Sequence, residues 1–182
     1  MRVKGSALRA RLLWAERHSA DGPARLLAAL APETRAVIAG NVLANQWYPF
    51  AAFVDLNVSL DKVFGSGDLA LCRELGRWSC DVNLTLLYKM LFKIGSVSFI
   101  IRRAALAWST HYDEGRMQVV DEDAQYVQLR WSGIAEPHRA HCLSVCGWIV
   151  RACELSGGKV GETHERCRLL DAPECELEVR WR

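Results

Sequence analysis

The sequence predicts an α+β fold, a helical layer packed on one face of a small antiparallel sheet. Three observations point to it. Apolar residues recur at helical spacing through the first two-thirds of the 182-residue chain. Near Gly115 the period shortens from 3.6 to 2. A further helical stretch and a second alternating segment then close the chain. No linker, repeat or low-complexity tract divides it, so residues 1–182 read as a single domain. Within it, 1–114 form a mainly helical layer and 115–182 a hairpin, a helix and a C-terminal β-hairpin.

The elements follow in order. Residues 7–17 alternate apolar and basic side chains and stay open between strand and helix. Residues 23–31 read as a short helix with Pro23 in its first turn, followed by a second over 32–40. Trp47-Tyr48-Pro49-Phe50 reads as an aromatic turn. It feeds a helix whose stripe is Phe50, Phe53, Val54, Leu56, Leu60 and Phe64. Gly65-Ser66-Gly67 ends that helix, and Asp68 is placed to cap the next. Residues 84–92 are apolar almost all round, as in a helix buried between layers, and Gly95-Ser96 stops them. Residues 99–112 form another helix, with Ile100, Ile101, Ala104, Ala105, Trp108 and Tyr112 inward.

Residues 117–120, an acidic turn at Asp121-Glu122-Asp123, and 126–131 read as a hairpin with Val127, Leu129 and Trp131 on one face. A helix over 138–155 stops at Ser156-Gly157-Gly158. In the last strand Cys175, Leu177, Val179 and Trp181 point inward, and Glu176, Glu178, Arg180 and Arg182 point outward.

Composition narrows the function. Hydrophobic residues make up 51%, too many for a disordered chain, and 23 Lys+Arg against 21 Asp+Glu leave +2. That balance argues against nucleic acid as a partner. No apolar stretch approaches the roughly 20 residues of a membrane span. Charges at Arg9, Arg11, Glu16 and Arg17 interrupt any signal-peptide core, so the expected location is cytoplasmic. No nucleophile elbow or phosphate-cradling loop occurs, which favours a non-enzymatic role. The seven Trp suit an apolar pocket or a protein-binding face.

Seven cysteines are present, none before Cys72, and five fall from Cys142 onward. Thiols kept reduced suit metal ligation, redox chemistry or burial better than a disulfide framework. Cys142 lies on the late helix, Cys167 and Cys175 flank the terminal turn, and His164 precedes Cys167 by three. Thiolates with one imidazole are a common zinc set. Residues three apart on a regular strand face opposite ways, so His164 needs a bulge or strand end to reach the ion. Glu165 is the rival fourth ligand. The other use of these cysteines is a buried core stripe of Cys142, Cys146 and Cys153.

The run Cys142-Leu-Ser-Val-Cys146-Gly147-Trp148, then Gly157-Gly158, His164-Glu-Arg-Cys167 and Cys175-Glu-Leu-Glu-Val resembles the 4-vinyl reductase-type domain of bacterial aromatic-compound sensors. That domain is akin to the TRAPP vesicle-tethering subunits and to haem-NO-binding domains, and the earlier part of the chain also resembles an uncharacterised bacterial paralogous family. The resemblance implies a structural zinc on Cys142, His164, Cys167 and Cys175, with His164 where the pattern has glutamate. It implies a small apolar or lipid-like ligand, with Phe53, Trp108 and Trp131 as pocket wall. By analogy with the TRAPP relatives, Cys72 and Cys80 are acylation candidates. Against the haem motif Tyr-x-Ser-x-Arg the chain has Tyr112-Asp-Glu114-Gly-Arg116, and a carboxylate beside propionates predicts no haem. The expected role is a ligand-binding or signalling module. The alternatives are a dimeric or partner-binding interaction adaptor without a small ligand, and a thiol-dependent enzyme using Cys72 or Cys80.

Overall fold

A computed structural model describes residues 1–83, 97–106 and 108–182. The chain runs β1 (Arg2–Lys4), α1 (Gly5–His18), α2 (Gly22–Ala29), α3 (Pro32–Ile38), β2 (Trp47–Pro49), α4 (Phe50–Phe64) and α5 (Leu71–Asn83). It continues with α6 (Val97–Leu106), α7 (Trp108–His111), β3 (Arg116–Glu122), β4 (Tyr126–Ser132), α8 (Arg139–Leu155), β5 (Val160–Arg166), a 3₁₀ turn (Arg168–Leu170) and β6 (Cys175–Trp181). The helix expected over 84–92 and its stop at Gly95-Ser96 lie outside the described residues.

The stretch left open at 7–17 is helical, with Ala7, Leu8, Arg11 and Ala15 on its buried face. The aromatic turn expected at Trp47 is a strand instead. It pairs antiparallel with β1 in the register Val3↔Tyr48, and the Lys4 ammonium sits 4.0 Å from the Trp47 ring centroid. At the start of α5 the main acceptor is Asp61, fully buried, which takes the N–H groups of Leu69 (2.8 Å) and Leu71 (3.0 Å). Asp68 accepts only from Ala70 (2.9 Å). The helix expected over 99–112 is described as α6 and α7 on either side of residue 107, which lies outside the described residues, and Ile100, Ile101, Ala105 and Trp108 are buried as its pattern requires.

The four-stranded sheet has the order β3-β4-β6-β5, antiparallel throughout. Val127, Leu129 and Trp131 of β4 and Leu177, Val179 and Trp181 of β6 face the helices and are buried. Each such aliphatic side chain is worth about 1.5–3 kcal/mol. On the other face Glu176 is also buried, because Arg130 (2.6 Å), Arg166 (3.4 Å) and Gln128 (3.1 Å) close over it. Asp121 and Glu122, expected in a turn, belong to β3, and Glu122 reaches Arg102 of α6 at 2.6 Å.

Helices α5 and α8 cross with their backbones in contact. A Cβ on Gly76 would stand 2.0 Å from the Ser144 carbonyl oxygen, and one on Gly147 would stand 1.9 Å from that of Arg73. Only glycine admits this approach. Beside a small cluster of Cys72, Ala140 and Leu143, two large apolar clusters stand out among the described residues. One joins the sheet to α6 and α8, and the other gathers α1, α2, α4 and Leu75 of α5.

Candidate functional site

A cavity of about 340 Å³ opens at the seam between these clusters. Its apolar wall includes Phe53, Ile100, Trp108, Met117, Val145, Trp148 and Ile149, with Arg11, Ser144 and Tyr112 as polar points. Arg103, Thr110 and His111, all exposed, mark the rim. Of the three residues expected in a pocket wall, Phe53 and Trp108 are among those lining this cavity. Trp131 does not line the cavity. It lies opposite Cys175 on paired strands, and its side chain packs toward the thiols described below.

Arg11 is 1% exposed. Its Nε donates to Asn57 Oδ1 (3.2 Å), Nη1 to the Ala7 carbonyl (3.3 Å) and Nη2 to Ser144 Oγ. Asn57 is held for this task, since its Nδ2 donates to the Phe53 carbonyl at 2.7 Å. The guanidinium also lies 4.6 Å from the Phe53 ring centroid. Every oxygen it meets is neutral. Burial lowers its pKa to about 10, which still leaves it charged at neutral pH.

His141 is fully buried, and neither ring nitrogen has a hydrogen-bond partner among the described residues. Phe50, Phe53, Trp108 and Tyr112 surround it, the nearest ring centroid at 5.0 Å. Burial lowers its pKa to about 3, so the imidazole is neutral. Sequence reasoning weighed both residues and gave neither a role, reading Arg11 as ordinary surface. The available signal for Arg11 was its place four residues after Ala7 and four before Ala15, on the apolar face of α1.

Where β6 begins, Cys142, Cys167 and Cys175 converge, their sulfurs all within 4.8 Å of one another. Cys142 Sγ lies 3.7 Å from Cys175 Sγ, which lies 4.0 Å from Cys167 Sγ. The first turn of α8 supplies Cys142, and β6 opens with Cys175. Cys167 caps the 3₁₀ turn, whose Leu170 and Ala172 N–H groups both donate to its carbonyl (2.8 and 3.3 Å). The hydrogen bond with Cys142 favours the thiolate of Cys175 and, with burial, pushes the Cys142 thiol up.

His164, expected as a ligand, does not join them. It remains on the exposed face of β5, 65% exposed, its Nδ1 3.9 Å from Glu178. The strand stays regular there, so the parity that separated His164 from Cys167 in sequence separates them in space. Glu165 is held by Arg73 and Arg139. Cys72 and Cys80 are buried outside the cavity wall, and burial raises both thiols, Cys72 to about 12.

No family model and no curated protein matches the chain. Solved structures do. The Fe(II) unliganded H-NOX protein from K. algicida superposes with a TM-score of 0.72 at 12% identity, covering 98% of this chain and 96% of that one. An H-NOX protein from S. oneidensis in the Fe(II)NO state gives 0.72 at 13%, covering 98% and 99%. A structure probing heme distortion in the H-NOX family gives 0.67 at 8%, covering 98% and 95%.

These neighbours overturn the expectation of no haem. It rested on Glu114 repelling propionates, yet the Met1 ammonium lies 2.8 Å from Glu114 Oε1, and Glu114 is not among the cavity-lining residues. The wall instead carries Arg11 and Arg103 as cations, with His111 and Met117 as donor types that haem iron accepts. The residues present therefore fit the group in kind. The haem-NO-binding part of the sequence resemblance holds at the level of architecture: the chain has the α+β fold of the H-NOX domains.

Proposed function

We propose that the chain is a non-enzymatic ligand-binding module of the sensor type, its cavity receiving a small, mainly apolar molecule. The observation that carries this reading is the cavity of about 340 Å³ at the seam of the two cores, within the size range of small-molecule sites. A cavity walled by both clusters couples occupancy to their packing. A partner chain reads that change, which gives the module its output.

Haem belongs to the occupants to be tested. When bound, its iron would supply coordination of a small gas molecule, and the chain's own part would be the cations Arg11 and Arg103 and the donors His111 and Met117.

The thiol triad belongs to the same reading as a brace. We infer that it grips a thiophilic divalent ion, tying α8 to the closing hairpin. A tetrahedral thiolate site with metal–sulfur bonds of about 2.3 Å sets its sulfurs roughly 3.8 Å apart. The observed 3.7 and 4.0 Å match that edge. The Trp131 indole N–H, otherwise unpartnered, favours the ionised Cys142 sulfur. The 4-vinyl reductase-type reading rests on this cysteine pattern alone.

Thermal denaturation of the full chain with small apolar compounds and with hemin tests the proposal. An occupant at one hundred times its Kd adds about 2.7 kcal/mol, and the melting temperature should then rise by roughly 5–10 °C. A flat response across the set, with native mass spectrometry showing no bound molecule, refutes it.

A further inference from the structure

The cavity contains a charge that the protein does not neutralise. Arg11 is buried, charged and surrounded by neutral acceptors, namely Asn57 Oδ1, the Ala7 carbonyl and Ser144 Oγ. Among the described residues no carboxylate lies within ion-pairing distance of it, although thirteen such contacts tie other groups together. Residues 84–96 and 107 contain no Asp or Glu, so they bring no counter-ion either. A buried cation is normally paired, because removing it from water costs several kcal/mol. This one lies on a cavity wall and is 1% exposed, whereas Arg103 and His111 on the same wall are exposed.

We propose that the cavity takes a carboxylate with a small apolar body, its acid group seated on Arg11 and its body along Ile100, Val145 and Ile149. The proposal rests on the cavity reading above and adds the charge of the ligand to it. Chemistry favours a carboxylate: a guanidinium presents a fork of donors that matches its two oxygens. Tyr112, also on the wall, offers a phenolic O–H beside the same cation. The apolar remainder of the wall excludes a small hydrophilic anion, which would lose its hydration without replacing it.

The test uses octanoate, octanol and methyl octanoate on the full chain, with Kd measured by calorimetry and melting temperature as a second readout. Octanoate should bind about tenfold or more tightly than the two neutral probes. In Arg11→Met the preference should vanish or reverse while octanol still binds. Equal binding of all three probes to the wild-type chain overturns the acid assignment and leaves the cavity reading standing. Binding of none of them overturns both. Retention of the octanoate preference in Arg11→Met also overturns the assignment, since the acid would then sit elsewhere, at the rim. Where Arg11→Met fails to fold, the wild-type comparison of acid, alcohol and ester decides alone.

Discussion

Gly147→Ala tests the structural premise that α8 is seated on α5 with no tolerance. The added Cβ would lie 1.9 Å from the Arg73 carbonyl oxygen and 2.8 Å from its carbon, both rigid backbone atoms. Ordinary contact begins near 3.4 Å, so the helices would have to part by about 1.5 Å. Overpacking a core costs roughly 1–3 kcal/mol where side chains can yield, and here none can. A loss of about 3 kcal/mol follows, or a fall in melting temperature of roughly 6–12 °C for a domain of this size. Circular dichroism melts read it, with Gly40→Ala as control, since a Cβ there meets nothing within 4 Å. Because Ser144, three residues before Gly147, accepts from Arg11, octanoate affinity should fall with stability. A Gly147→Ala chain melting within about 2 °C of wild type would refute the backbone contact and the cavity geometry that depends on it.

Two further outcomes separate this structure from the sequence expectations. Asp61→Ala should cost about 2 kcal/mol by leaving the Leu69 and Leu71 N–H groups without their acceptor, while Asp68→Ala should cost less than half as much; urea midpoints compare them. Cobalt(II) added under reducing conditions should give a sulfur-to-metal charge-transfer band that Cys142→Ser, Cys167→Ser or Cys175→Ser weakens and His164→Ala leaves intact. Equal loss in His164→Ala would restore the four-ligand expectation.

What the sequence revealed was whatever depends on periodicity. The alternation of Val127, Leu129 and Trp131 with Leu177, Val179 and Trp181 identified the inner face of the sheet, because a strand has only two faces. The convergence of Cys142, Cys167 and Cys175 was readable from one helix position and one hairpin. The fourth ligand was not, since His164 required a bulge that β5 does not make at that point. Asp68 does accept from Ala70 ahead of α5, but spacing cannot show that Asp61, on the preceding helix, folds back to take the Leu69 and Leu71 N–H groups. The exclusion of haem failed for a similar reason. Glu114 has its charge answered by an ammonium more than a hundred residues away in sequence, which no local motif displays.

Arg11 shows the same limit from the opposite side, and its energetics explain why the charge cannot be regarded as packing. Two of the three bonds it makes join α1 to Asn57 of α4 and Ser144 of α8, a cross-link that a neutral amide donor would supply in part without placing a cation in the core. A guanidinium there carries a desolvation cost that neutral acceptors offset only partly, and burial already lowers its pKa to about 10. Its contact with the Phe53 ring recovers on the order of 1–2 kcal/mol, less than a full counter-ion would. The arrangement is thus least favourable when the cavity holds only neutral matter, and an anion entering it removes the deficit. Ligand charge and domain stability are linked through one side chain, so an acid bound at Arg11 should stabilise the chain beyond what its apolar contacts alone predict.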